Sequence, residues 1–521
     1  MFDFGTLYLV LKMVLVFVLL IVLKALYEYI YRPLKYRARY GKYQNVIMTN
    51  KFVPLLGDLS LVIQNEKDHK SKFHHNIEDS LENKGFDIQL FILGSYVYLD
   101  LCSMKAFDEF EKLVPSKIDR DDMQGIPVVN IIGGSLGVSS SDEKWAQRRK
   151  EMGKLIGINF CSQHIPLMIE TMDKYIEQSP LNQEISFTKM FAKVTFEIIT
   201  KIFFGKDITE GMEKMEYVCP RTGGKSMLAF GEFFPKISFD QIESFFDPIG
   251  KILSFLSNYN LIEPYKSNAK NIRTLNDSLS RYLDNSQDKE SVYQMLYKSG
   301  NFTKHECLKD ALLMLFAGFD TTSRGLSSTV ILLKQNPEKL QKLYQEIETC
   351  GIRKITDVPR EKYKSIYDEC DYLNYVLKES LRLDPPVIHS LTYKPVEDCE
   401  ICGVKIFKGD RIEINTQFPH YNPEQWHRPE EFLPERFDPQ DALFFKPGTT
   451  ELRHPKSLAP FTFGSRNCLG QTLAKLEIKV LLCRFLTKLD FEIQDSLLQN
   501  DKLRYNITDG RHLYGTIINK I

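Results

Sequence analysis

The chain opens on a run that is apolar almost without a break, with Lys12 the only charge from Leu7 to Leu23. A bilayer's hydrocarbon core takes about 20 mostly apolar helical residues. The segment is therefore long enough to cross once if the Lys12 ammonium reaches up to the headgroups. Beyond it the pattern becomes amphipathic and mostly helical, with strand-like stretches near residues 87–101, 387–417 and the C-terminal end. This predicts a mainly α fold with small β-sheets (α+β), preceded by one N-terminal transmembrane helix. The apolar spacing from Leu308 to Pro337 describes one long buried helix that ends before Asn336-Pro337. Turns are marked by Pro54 with Gly57, by Asp384-Pro385-Pro386 and by Lys408-Gly409-Asp410. With no internal repeat and no Ser/Gly-rich linker, residues 51–521 read as one body behind an anchor at 1–30 and a basic linker at 31–50.

Charge sharpens the picture of the N-terminus. The 521 residues carry 68 basic and 68 acidic side chains, so nothing implies a dedicated nucleic-acid partner. A 43% apolar fraction excludes a disordered chain. Residues 1–50, however, hold Lys12, Lys24, Arg32, Lys35, Arg37, Arg39 and Lys42 against Asp3 and Glu28. Basic residues following a span keep its C-terminal side in the cytosol, which places the bulk of the protein there. A cleaved signal peptide would need a basic start and small residues at the cleavage site, whereas Asp3 is the only charge before Lys12 and Ala25-Leu26-Tyr27 is a poor site. A buried or interfacial helix is the other alternative.

The ten cysteines are scattered, as in a compartment where thiols stay reduced. Cys399 and Cys402 form a lone C-x-x-C in an alternating stretch and read as ordinary strand residues, since no second pair completes a zinc site. Gly224-Lys225-Ser226 ends like a phosphate loop, but Cys219 stands where its first glycine is required.

The informative segment is Phe461 to Gly470, FTFGSRNCLG. Gly464 and Gly470 bracket Cys468 and allow a tight turn and close approach to a flat ligand. The periodic QTLAKLEIKVLLCRFLTKL that follows puts Cys468 just before a helix N-terminus, where backbone N–H groups and the macrodipole favour a thiolate. The segment resembles the haem-binding signature F-x-x-G-x-R-x-C-x-G of the cytochrome P-450 haem-thiolate enzymes, matched at Phe461, Gly464, Arg466, Cys468 and Gly470. Other matches follow the family's order. Trp145 and Arg149 resemble the pair that bonds the haem propionates, with Arg466 a further candidate. Ala317-Gly318-Phe319-Asp320-Thr321-Thr322 resembles the oxygen-activation motif of the long helix, where a Thr back-bonding to the i−4 carbonyl is the plainer alternative. Glu379 and Arg382, three apart, resemble the family's Glu-x-x-Arg pair, joined by Arg436 of Pro434-Glu435-Arg436-Phe437. Where the family often has another basic residue, this chain has Thr392-Tyr393-Lys394; Lys394 is the weaker candidate, because lysine cannot match arginine's bidentate anion binding.

The resemblance implies a microsomal, membrane-anchored cytochrome P-450 fold holding haem b (iron protoporphyrin IX) with Cys468 as axial ligand of the iron. It implies a monooxygenase on the cytosolic face of the endoplasmic reticulum that inserts one atom of dioxygen into a lipophilic small molecule. Asp320 and Thr321 are the implied proton-delivery pair, Ala317 and Gly318 the small residues against the cofactor, and Glu379, Arg382 and Arg436 a structural network. Electrons would come from a separate NADPH-cytochrome P-450 reductase, with cytochrome b5 a second donor, because the chain has no flavin or nicotinamide loop. Lys144, Arg148, Lys150 and Lys154 offer either a docking face for an acidic partner or an ordinary solvated helix face. A haem-thiolate isomerase, dehydratase or peroxygenase and a non-catalytic haem sensor are the competing functions; both can dispense with Asp320 and Thr321. Phe230, Phe233, Phe234, Leu313, Phe316, the loop Val128 to Leu136 and Val387 to Ser390 are pocket candidates that leave the substrate open.

Overall fold

The computed structural model describes residues 4–49, 52–61, 85–121, 129–205, 208–245, 252, 256–257, 259–285, 290–496 and 513–521; Val128 of the pocket loop lies outside them. The apolar N-terminus forms a helix from Phe4 to Leu26 that continues through a wider turn, Tyr27–Tyr31, into Arg32–Tyr40. Among the described residues it is the one helix long and apolar enough to cross a membrane. Its side chains from Tyr8 to Leu20 are exposed rather than packed on the body, which does not fit a core helix. Residues 31–50 are more ordered than a linker. Tyr36 and Tyr40 join the core beneath the largest sheet, the Tyr40 hydroxyl donates to Asp410, and Arg37 Nη2 donates to the Thr49 carbonyl at 2.8 Å.

That sheet has six strands, in the order Val46–Ile47, Ile88–Leu93, Tyr96–Leu101, Ile412–Ile414, Tyr393–Pro395 and Ile118–Arg120. The stretch 87–101 is thus two antiparallel strands joined at Gly94-Ser95, with Gly94 at φ 59°, a left-handed turn that glycine tolerates. The stretch 387–417 likewise resolves into four short strands. Cys399 and Cys402 lie at a hairpin of that stretch, both buried and with thiols pushed up to about 11 and about 12 by burial. The C-terminal strands Leu489–Ile493 and Tyr514–Lys520 pair antiparallel.

The larger core surrounds Lys304–Gln335, at 32 residues about 48 Å long. Thr303 and Glu306 close a reciprocal capping box at its start, and Asn336 caps its end before Pro337 opens the next helix. It packs along Phe187–Phe204. A Cβ added to Gly318 would lie 2.1 Å from Ile199 Cδ1 of that neighbour, so the small size of Gly318 serves contact between the two helices.

One ionic cluster sits wholly inside. On helix Asp371–Leu383 the Glu379 carboxylate accepts both forks of Arg382, each at 2.8 Å, and Arg436 Nε at 2.9 Å. All three side chains are fully buried. The remaining guanidinium donors end on the carbonyls of His420, Pro429, His427 and Arg428. His420, which no sequence motif singled out, connects this cluster to the loop before Phe461. Its Nε2 accepts the Ala459 N–H at 2.9 Å, which leaves Nδ1–H to donate to the Arg382 carbonyl at 3.0 Å. Burial and the adjacent Arg382 charge push its pKa down to about 3.

Two outcomes follow. Glu379→Ala leaves two buried guanidinium groups without a counter-charge and lowers unfolding free energy by about 3–5 kcal/mol, read from urea melts. His420 is neutral when folded and takes up a proton when unfolded below its ordinary pKa of 6.5. Its contribution is therefore present above pH 6.5 and lost as pH falls toward 3. His420→Gln should make the acid decline of stability shallower across that window; an unchanged slope would contradict the neutral tautomer.

Candidate functional site

The Cys468 loop is built by its own sequence. Gly464 sits at φ 70°, a left-handed conformation that calls for glycine. The Cys468 N–H donates to the Phe461 carbonyl at 2.9 Å and closes the loop, and Gly470 caps helix Gln471–Lys488. The Gly470 and Gln471 N–H groups point at the sulfur, and Arg149 and Lys475 add positive charge. Burial outweighs them and holds the thiol above its ordinary value. Two backbone N–H groups and two cations directed at one sulfur are a setting that suits a metal-bound thiolate.

Cys468 is nevertheless accessible to a water-sized sphere. Ala317 is likewise exposed, with Phe316 and Gly318 to Thr321 half-buried around it, in a long helix that is otherwise mostly buried. A Cβ built on Gly470 would lie 3.5 Å from Met314 Cε and 4.0 Å from the Cys468 sulfur, so this turn of the helix adjoins the sulfur loop. Thr321 Oγ1 donates to the Ala317 carbonyl at 2.7 Å, the i−4 arrangement foreseen as the plainer reading, and keeps its lone pairs free. Asp320 accepts Arg324 Nε at 2.8 Å at a partly exposed position.

Several arginines gather on one side of Cys468. Arg149 lies close enough for the sulfur and Arg120 both to act on its charge. Arg466 stacks on the Trp145 ring at 3.8 Å from the centroid, and burial with Arg120 nearby pushes its pKa down to about 10. Some of the expected anion donors are already engaged. Trp145 Nε1 donates to the Leu136 carbonyl at 3.0 Å, and Arg466 donates to Leu136, Ser139, Ser141 and Asp119. Arg149 Nη2 donates to Asn467. Arg120, absent from the sequence analysis, stacks on Tyr393 at 4.0 Å and keeps a buried Nε with no hydrogen-bond partner. Lys394 pairs with Asp121 at 3.8 Å, while Tyr393, its neighbour in the strand, takes the position beside Arg120. Only strand alternation after Arg120 was paired with Tyr393 could have revealed this. An orphaned guanidinium donor, an exposed thiol and an exposed alanine on the adjoining helix together fit a flat metal-bearing ligand with anionic groups at its edge.

Phe461 carries the Lys475 ammonium 5.0 Å above its ring. Glu379, Arg382 and Arg436 meet in the buried network described above rather than beside Cys468. Phe230 and Phe234 pack with Phe196, and Phe233 with Tyr217, as closed aromatic core. Leu313 and Phe316 remain only half-buried. Arg148 is a buried partner of Asp310 at 2.6 Å and no surface charge, and Lys144 is engaged by Glu306 at 2.6 Å. Of the four basic residues considered for docking, Lys144, Lys150 and Lys154 stay at the surface, Lys154 paired with Glu151 at 2.8 Å.

Comparison with known proteins agrees with this geometry. The family model Cytochrome P450 matches residues 53–507. Cytochrome P450 3A28 of Bos taurus is 28% identical over 374 residues, covering 67% of this chain and 68% of its own. Probable cytochrome P450 4p3 of Drosophila melanogaster is 26% identical over 455 residues, 81% of each chain. Cytochrome P450 4V2 of Rattus norvegicus is 35% identical over 189 residues, 36% of this chain and 33% of its own. With the motif order, the mainly helical fold and a family match over most of its length, the chain belongs to the cytochrome P450 family of haem-thiolate monooxygenases.

Proposed function

We propose that the protein hydroxylates a lipophilic small molecule with electrons from NADPH-cytochrome P-450 reductase, with cytochrome b5 able to give the second electron. The catalytic domain, residues 51–521, stands on the cytosolic face of the endoplasmic reticulum, held by the anchor at 1–30. The observation that carries the reading is the exposed Cys468, in its Gly464–Gly470 loop, adjoining the turn of the long helix that carries the exposed Ala317. Haem b held through Cys468 supplies dioxygen activation, because a thiolate ligand pushes electron density toward O–O cleavage. The overall reaction takes one dioxygen, two electrons and two protons, adds one oxygen atom to the substrate and releases the other as water.

The chain's own residues position and protonate. Phe461, Gly464 and Gly470 shape the sulfur loop. Arg120, Arg149 and Arg466, with Trp145 stacked beneath Arg466, offer positive charge to carboxylates at the cofactor edge, Arg120 Nε being the donor without another role. Ala317 leaves room on the opposite side. Thr321 presents a hydroxyl whose hydrogen is held by Ala317 and whose lone pairs can receive a proton for relay. Asp320 takes protons from solvent and is steadied by Arg324. Lys144, Lys150 and Lys154 are the exposed cations of this helix available to an acidic reductase.

Thr321→Ala should leave NADPH oxidation within a few-fold of the parent while cutting product per NADPH about tenfold or more, in keeping with the 10²–10⁴-fold worth of a positioned proton donor. Unchanged coupling would remove Thr321 from the relay. Reversing Lys150 and Lys154 to Glu should slow reductase-supported turnover at low salt and lose its effect at high salt; no change at low salt would reject the docking face.

A further inference from the structure

One cluster of titratable side chains has no part in the mechanism. Strands Tyr96–Leu101 and Ile412–Ile414 of the six-stranded sheet run parallel with Asp100 opposite Glu413, so the two carboxylates project from the same face as cross-strand neighbours. His389 pairs with Asn415 through an isolated bridge, which brings its ring to that row. Its Nδ1 stands 3.3 Å from Glu413 Oε2 and its Nε2 3.6 Å from Asp100 Oδ2. One ligand atom from each of the three residues lies within 4.8 Å of the other two.

The charges in this cluster do not balance. Asp100 is fully buried, and neither of its oxygens has a hydrogen-bond partner. The Asn415 amide is turned to His389 instead: its Oδ1 accepts the Gln417 N–H at 3.0 Å, which directs its Nδ2 to His389 Nε2 at 3.1 Å. A ring nitrogen that accepts from Asn415 carries no proton, so Nε2 and Asp100 Oδ2 are two electron-pair donors facing each other across 3.6 Å. Asp100 and Glu413 together raise the His389 pKa, yet even an imidazolium answers only one of two carboxylates. Arg411, on the Glu413 side, is engaged by Asp121 at 3.2 Å. Burial pushes the Asp100 carboxyl up to about 7, the mark of a charge that is costly to hold there.

A dication answers both carboxylates at once. Two carboxylate oxygens with one imidazole nitrogen are zinc-type donors, whereas magnesium and calcium take sets of oxygen alone. Bonds of about 2.0–2.2 Å hold tetrahedral ligand atoms about 3.4 Å apart. The 3.6 Å between His389 Nε2 and Asp100 Oδ2 is already near that separation. Glu413 is the side chain that has to swing, and Thr392 Oγ1, donating to its Oε1 at 2.7 Å, leaves Oε2 for the metal. The His389 and Glu413 side chains are 17% and 13% exposed, enough for a water to reach the fourth position.

We propose that Asp100, His389 and Glu413 form a second metal site, for a divalent cation of the zinc type, with water as the fourth ligand. Any proton held by Asp100 or His389 leaves to solvent as the metal binds. The bound ion ties the two strands to the segment that carries His389, and neither the iron nor the substrate takes part.

The test takes untagged, full-length, haem-loaded protein in detergent, strips it with a chelator, dialyses it against micromolar zinc chloride and counts zinc per chain by plasma mass spectrometry. The parent chain should retain one zinc, and Asp100→Asn and His389→Gln should each weaken its binding about tenfold or more. X-ray absorption at the zinc edge should show nitrogen and oxygen neighbours at about 2.0 Å and no sulfur at about 2.3 Å. No retained zinc, an affinity unchanged in either variant, or sulfur in the zinc shell would overturn the proposal, the last by assigning the metal to cysteines. If Asp100→Asn does not fold, Glu413→Gln, at a partly exposed side chain, replaces it and should show the same loss; unaltered binding would again overturn it.

Discussion

Sulfur at Cys468 must be negative to ligate iron, yet it sits where negative charge is disfavoured. Burial raises the thiol's pKa despite two backbone N–H groups and the charges of Arg149 and Lys475. A metal cation bound to the sulfur would offset that cost, as it does for any buried thiolate ligand. The rest of the structure serves to hold that loop beside the long helix.

Two devices do this. The Glu379, Arg382 and Arg436 cluster fixes helix Asp371–Leu383 to the segment after it, and His420 carries that rigidity to Ala459, two residues before Phe461. On the other side the long helix is pressed against Phe187–Phe204 at Gly318 and Ile199, while Ala317 one residue earlier is left open. Successive residues on a helix point about 100° apart, so adjacent small residues can serve opposite purposes. One permits close packing and the other leaves room.

Much of this was legible in the sequence because it is local. The Cys468 loop, the capped long helix and the Glu379–Arg382 spacing each lie within a few residues or obey a helical period. What escaped depends on pairings distant in sequence. Arg120 reaches the arginine cluster through its strand's register with Tyr393, 273 residues away. His420 becomes structural only when the segment containing Ala459 folds over it. Arg148 looked like a surface cation because helix charge runs usually are, and only the Asp310 carboxylate on another helix buries it. The basic segment after the anchor was also read as free chain, since nothing local announces that Tyr40 will meet Asp410.

The account turns on ligation of iron by the Cys468 sulfur, which the absorption spectrum of the purified, dithionite-reduced, carbon-monoxide-treated protein reports directly. The parent chain should give the long-wavelength Soret maximum that thiolate ligation produces, and Cys468→Ser should lose it. A parent spectrum with the shorter-wavelength maximum of a nitrogen-ligated haem, or a long-wavelength maximum that survives in Cys468→Ser, would contradict the account.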